Sequence, residues 1–208
     1  MYLFELSICV LRHPIDVFSI FKRKRESKSV IPAFTFLILF VIVRLISIFI
    51  THFPLQTTNP LTANIFLEIA FYFVPPFTWA IASFAISSIM DGESLISENL
   101  TAAAFSLMPY IVFQIPISLL SNILTIKDAG FYNFLSTFIM VWCAILFIVS
   151  IKTINDFSLR KTFLVVFLTI FTMFLCWGVA VLVYALLSQF IAFLTGLYRE
   201  ILFAIRNY

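Results

Sequence analysis

The strongest constraint in this sequence is the alternation of five long apolar runs with short polar joints. Hydrophobic residues make up 62% of the 208 residues and charged residues 11%, which is typical of a protein that crosses a membrane several times. A helix needs about 20 residues to cross a hydrocarbon core about 30 Å thick, and each run is long enough. The predicted spans are residues 31–53, 65–90, 100–124, 131–151 and 163 to about 190.

The fold class follows from the solvent. Backbone amides inside a bilayer find no water, so only helices and closed barrels cross it, and the runs lack the period-two alternation of a barrel. We therefore predict an all-α integral membrane bundle of five transmembrane helices with an amphipathic helix at each end. The predicted domains are a cytosolic interfacial segment at 1–28, the transmembrane domain at 29–190 and an extracytoplasmic C-terminal helix at 191–208.

The distribution of lysine and arginine predicts the orientation, because cytoplasmic flanks are enriched in both. Nine of these residues fall before the first span or between the fourth and fifth, and three fall on the other face. The N-terminus is therefore predicted in the cytosol and the C-terminus outside. A basic cluster that we expect to meet anionic lipid rather than nucleic acid consists of Lys22, Arg23, Lys24, Arg25 and Lys28.

The residue pattern gives no sign of catalysis. His13 and His52 are predicted on opposite faces of the bilayer, and no serine or cysteine has an evident base in the same layer. Asp91 and Glu93 form a short acidic joint, for which helix capping or solvent exposure is a simpler interpretation than cation binding. We therefore expect no enzymatic activity, cofactor or metal.

Two charged residues fall within the spans, where charges are costly and usually paired. Arg44 lies about 13 Å below the outer end of the first span, and Glu68 lies near the outer end of the second. Because an arginine side chain can extend toward the interface, both heads can reach one layer. We predict an ion pair between Arg44 and Glu68, with a role in fixing helix register favoured over a role as a gate.

Prolines interrupt the middle of the predicted bundle. Pro75 and Pro76 lie in the second span, and Pro109 and Pro116 lie in the third. Each removes a backbone hydrogen bond and is predicted to kink its helix. Transporters place binding sites at broken helices, although simple packing of kinked helices is the more common case.

The C-terminal segment from Lys161 onward exceeds the length of one crossing by about twenty residues. Its end is either a helix on the outer membrane surface or an extension of the fifth span that docks on a partner. Leu197, Ile201 and Ile205 with Arg199 are the candidate docking residues.

Four segments together resemble the short bacterial form of the Yip1-domain family: LRHPIDVFSIFKRKR, SIMDGES, SLMPYIVFQIPISLLSNIL and IKTINDFSLRKT. The resemblance implies five transmembrane helices, a cytosolic N-terminus and no enzymatic activity. The long N-terminal region and DLYGP-type motif that tie eukaryotic members to Rab GTPases and vesicle traffic are not seen in this sequence. A trafficking or membrane-organisation role is therefore the less favoured interpretation.

Some bacterial members of the family lie beside genes for carbohydrate ABC importers. The resemblance thus implies a scaffold or accessory subunit in the bacterial plasma membrane, with permease subunits as partners. The alternative is a small transporter or channel that uses Arg44, Glu68 and the proline-containing spans as its pathway.

Overall fold

The computed structural model of this protein describes residues 8–23, 30–56 and 64–206, which form helices and joints without a strand. A helical stretch at residues 8–12 precedes the first helix discussed here. The helices are α1 (Pro14–Arg23), α2 (Ile31–Ile50), α3 (Ile65–Ile89), α4 (Ile96–Ser106), α5 (Met108–Leu120), α6 (Ala129–Asn155) and α7 (Leu159–Arg206). Short 3₁₀ turns lie at Phe53–Leu55 and Ile126–Asp128.

Five segments of the described residues are long and apolar enough to cross a membrane, which confirms the predicted fold class. They are Ile31–Ile50, Ile65–Ile89, Ile96–Leu120, Ile126–Asn155 and Leu159–Glu200. The third of these segments consists of two helices, α4 and α5, which meet at Leu107.

Local chemistry sets several helix ends. The Asn64 side chain accepts hydrogen bonds from the backbone N–H groups of Phe66 and Leu67, at 3.1 and 3.4 Å, and so caps α3. Helix α2 ends at Ile50, three residues before the predicted end at Phe53. Thr51 and His52 are extended, and Pro54 has no N–H with which a continued helix could bond the Ile50 carbonyl.

The described residues up to Thr169 form one compact unit, and those from Ile170 onward form a second. In the first unit, the pair α4 and α5 is central, because α2, α3 and α6 all pack against it. Its small residues allow close approach, and Ala102, Ala103, Ala104 and Ser106 are at most 1% exposed. A second apolar cluster joins the first turns of α7 to α6 through Val165, Ile151 and Phe157.

The N-terminal helix α1 packs on protein as well as lying at an end of the bundle. Val17 and Phe18 are fully buried, and α1 contacts α6 and α4. Ile15 lies one helical turn before Phe18, so apolar spacing predicts the same face for both, yet Ile15 is 59% exposed. The face that enters the core is therefore rotated from the face that apolar spacing alone indicates.

The second unit is helical from residue 170 to residue 206. At 1.5 Å per residue this stretch is about 55 Å long, whereas a crossing needs about 30 Å. Most of its large apolar side chains between Ile170 and Phe203 are exposed. The helix continues through residue 190, where a boundary between membrane domain and terminal helix was predicted.

Candidate functional site

The structure brings Arg44 of α2 and Glu68 of α3 into contact. Arg44 Nε donates to Glu68 Oε2 at 3.3 Å, and the two side chains are 14% and 18% exposed. Both charged side chains are therefore mostly buried within the bundle, and their charges compensate each other. A pair of this kind links two adjacent helices at one fixed register.

Aromatic side chains surround this pair. The Arg44 guanidinium lies over the Tyr72 ring, 4.7 Å from its centroid, in a cation–π contact. Tyr110 of α5 also interacts with Arg44, and its ring packs on Phe40 at 4.8 Å between centroids. Arg44 thus connects three helices, α2, α3 and α5, at one level of the bundle.

The level of the pair is closer to a helix end than the sequence suggested. Arg44 precedes the end of α2 at Ile50 by six residues, or about 9 Å, and Glu68 lies in the first turn of α3. The predicted depth of about 13 Å was too large because α2 stops before Phe53. Glu68 therefore lies at a helix end, whereas Arg44 lies in the second half of α2.

The prolines have different structural roles. Pro75 and Pro76 lie inside α3, which continues through them as one helix, and Pro116 lies inside α5. Pro109 instead lies in the first turn of α5, directly after the interruption at Leu107. A proline is well tolerated there because the first-turn N–H groups have no partner within the helix. The third span is thus two helices rather than one helix kinked at Pro109.

A second polar site lies where the α3–α4 joint meets the α6–α7 joint. Asn155 Oδ1 accepts from the backbone N–H of Ser94 at 3.3 Å, and Asn155 Nδ2 donates to the Ile151 carbonyl at 3.1 Å. Gly92 lies so close that an added Cβ would be 2.4 Å from Asn155 Oδ1. The joint can therefore take this position only without a side chain at residue 92.

Backbone conformation shapes both joints in the same way. Asp91 and Asp156 have φ values of 55° and 51°, in the left-handed region that aspartate tolerates better than most residues. Asp156 follows α6 directly and ends that helix. The N-cap residue of α4 is Leu95, whose N–H donates to Glu98 Oε2 at 2.9 Å.

Lys22 joins α1 to both joints. Its Nζ donates to Asp156 Oδ2 and lies 3.8 Å from Glu93 Oε2. We call Lys22, Glu93 and Asp156 the clasp. The clasp shows that α1 and these two joints lie at the same end of the bundle.

The other members of the predicted basic cluster are less well described. Lys24, Arg25 and Lys28 lie outside the described residues, as does the side chain of Arg23. Of the candidate docking residues, Leu197 is 43% exposed on α7, and Arg199 is also exposed. The side chains of Ile201 and Ile205 lie outside the described part of the structure.

Sequence reasoning found the Arg44–Glu68 pair but missed the clasp. The first pair joins consecutive spans, whereas Lys22 and Asp156 are 134 residues apart. The signal available in the sequence was weak. It consists of Asp91 next to Gly92 in one short joint and Asp156 next to Asn155 in another. Their meeting depends on the packing of the whole first unit.

The fold and these sites define a multi-pass membrane protein built from apolar helices, with charged groups held in pairs. A family model for the Yip1 domain matches residues 8–181. The chain belongs to the Yip1-domain family, which confirms the resemblance to that family. Neither the curated proteins nor the solved structures gave a significant match.

Proposed function

We propose that this protein is a non-enzymatic scaffold or accessory subunit of a membrane complex. The observation that carries the proposal is the second unit, whose helix exposes large apolar side chains over about 50 Å, from Ile170 to Phe203. That length exceeds the need of one hydrocarbon crossing by about 20 Å. A partner of the same kind, an integral membrane protein, would cover the surplus apolar surface.

The setting of the complex is a bacterial plasma membrane, with the N-terminus in the cytosol. The charge distribution supports this orientation, because the clasp end of the bundle also carries Lys152, Arg160 and Lys161. The partners that we propose are permease subunits of a carbohydrate ABC importer. Support for that choice is family resemblance alone.

In this proposal the Arg44–Glu68 pair holds the bundle together. Its position near a helix end and its contacts with Tyr72 and Tyr110 support a role in fixing register. A transport pathway would be expected to place charged groups at the midplane along a chain of further polar side chains.

The experiment is purification of the tagged full chain from its native membrane in mild detergent, followed by quantitative mass spectrometry. We expect ABC permease subunits in stoichiometric amounts. The variant Leu197→Ala should lower their recovery several-fold, because it truncates an exposed apolar side chain on the proposed docking face. Leu202→Ala is the matched control and should leave recovery unchanged, because it truncates a similarly exposed leucine about 140° around the helix from Leu197.

A second candidate function is transport, which the interruption of the third span at Leu107 favours. If the purified chain is a partner-free oligomer, flux into liposomes becomes the deciding measurement. Exchange of the two charges, as Arg44→Glu with Glu68→Arg, should then abolish flux in a folded protein. Under the scaffold proposal the same exchange should leave assembly largely intact.

A further inference from the structure

Lys22 of the clasp links the N-terminal helix α1 to both joints. Lys22 is 25% exposed, whereas Glu93 and Asp156 are 67% and 75% exposed. Lys22 therefore contacts two carboxylates that remain open to ions and headgroups on the same face. The residues that follow Lys22 in sequence, through Lys28, are rich in positive charge.

Apolar contacts accompany the clasp. Val17 and Phe18 are fully buried, and the Phe21 ring meets the Phe105 ring of α4 at 4.8 Å between centroids. In a water-soluble protein this burial would dominate the free energy of docking α1.

In a membrane the comparison is different. An undocked α1 would place the same apolar side chains in the bilayer interface, where they are also removed from water. Helix association in lipid therefore gains little from hydrophobic burial and depends on packing and polar contacts. The ionic contacts of Lys22 then have a large share in setting whether α1 is docked.

Anionic phospholipid headgroups compete for the same charge. Attraction to an anionic membrane surface changes the equilibrium of one nearby lysine about fivefold, which is comparable with the effect of an exposed ion pair. Because Lys22 contacts both carboxylates when α1 is docked, it must leave one set of anions to join the other.

We propose that α1 is a latch whose docked population is set by competition for Lys22 between the Glu93–Asp156 carboxylates and anionic phospholipid headgroups. In a neutral bilayer α1 is docked on α4 and α6. In an anionic bilayer a substantial fraction of α1 lies in the membrane interface. This inference does not depend on the scaffold proposal.

The test measures the distance from α1 to the α6–α7 joint in nanodiscs. Paramagnetic labels are placed on Ser19 and Ser158, both exposed, in a full-length chain from which Cys9, Cys143 and Cys176 have been replaced. In phosphatidylcholine we expect one narrow distance distribution. Addition of phosphatidylglycerol should produce a second, longer distance and shift the ratio of the two about fivefold.

Variants separate the clasp from general electrostatics. Lys22→Gln should show the longer distance in both lipids, and Lys22→Arg should behave like the unchanged protein. Asp91→Asn is the matched control, because Asp91 is an exposed acid of the same joint that is not part of the clasp. A Lys22→Gln distribution identical to that of the unchanged protein would overturn the proposal.

A charge exchange keeps the test decisive if Lys22→Gln unfolds. The triple change Lys22→Glu, Asp156→Lys and Glu93→Gln restores an ion pair with opposite polarity. It should keep α1 docked in phosphatidylcholine and remove the response to phosphatidylglycerol. An unaltered response of the triple variant to phosphatidylglycerol would overturn the proposal. Release of α1 by soluble glycerol phosphate would also overturn it, because the effect would then belong to free phosphate and not to the membrane surface.

Discussion

Gly92→Ala tests the meeting of the two joints. An added Cβ would lie 2.4 Å from Asn155 Oδ1, 2.8 Å from the Ser87 carbonyl oxygen and 3.0 Å from Phe157 Cζ. The Ser87 oxygen belongs to the backbone and also accepts the Gly92 N–H at 2.7 Å, so it cannot withdraw without loss of that bond. Asn155 must therefore move and release the Ser94 N–H.

The magnitude follows from two contributions. A buried N–H that loses its acceptor costs about 1–3 kcal/mol, and overpacking by one methyl group costs about 1–3 kcal/mol. Since movement of Asn155 relieves part of the overpacking, we expect a net loss of about 2–4 kcal/mol in the free energy of unfolding. At about 2–4 °C per kcal/mol for a chain of this length, the midpoint of thermal unfolding should fall by several degrees.

The assay is thermal unfolding of the purified protein in one detergent, with Gly130→Ala as the matched control. Gly130 lies in the first turn of α6, where an added Cβ meets nothing within 4 Å. Alanine should be neutral or slightly stabilising there because it restricts the unfolded chain. Equal midpoints for Gly92→Ala and Gly130→Ala would refute the described contact between the joints.

Three further changes address the intramembrane pair and a helix cap. Arg44→Leu alone should lower the free energy of unfolding by about 3–5 kcal/mol, because it removes the cation that compensates the Glu68 carboxylate, and Arg44→Leu with Glu68→Leu should lower it by less. Steric-trap unfolding of both variants measures the difference, and an equal loss would contradict the pairing. Tyr72→Leu should lower the free energy of unfolding by about 0.5–2 kcal/mol more in the unchanged protein than in the variant with Arg44→Leu and Glu68→Leu, because the cation–π contact needs Arg44. A double-mutant cycle that gives no coupling would exclude that contact. Asn64→Ala should cost about 1 kcal/mol through loss of the α3 cap, read as a lower unfolding midpoint, whereas Asn64→Asp, which keeps an acceptor, should be nearly neutral.

The sequence was sufficient to predict the membrane bundle because lipid permits few backbone arrangements. An apolar run of 20 residues has almost no alternative to a helix, and the joints are short. The predicted third span began at Leu100, whereas α4 begins at Ile96. The start of this span was predicted too late because Glu98 and Asn99 are polar residues, although the structure buries both to at most 7% exposure.

The sites differ in predictability for a geometric reason. Arg44 and Glu68 lie on consecutive spans, so the connection between α2 and α3 limits where they can meet. Lys22 meets Asp156 only after the four intervening spans have packed, and no local pattern encodes that arrangement. The rotation of α1 that buries Val17 and exposes Ile15 has the same origin.

The interruption at Leu107 has a consequence for how the chain enters a membrane during synthesis. Helices α4 and α5 have 11 and 13 residues, so neither spans a bilayer alone. The segments Ile65–Ile89 and Ile96–Leu120 also have the lowest mean hydropathies of the five, 1.6 and 1.7. We expect these two segments to leave the translocon as a helical hairpin, and an insertion assay should show efficient integration of Ile96–Leu120 only when Ile65–Ile89 precedes it.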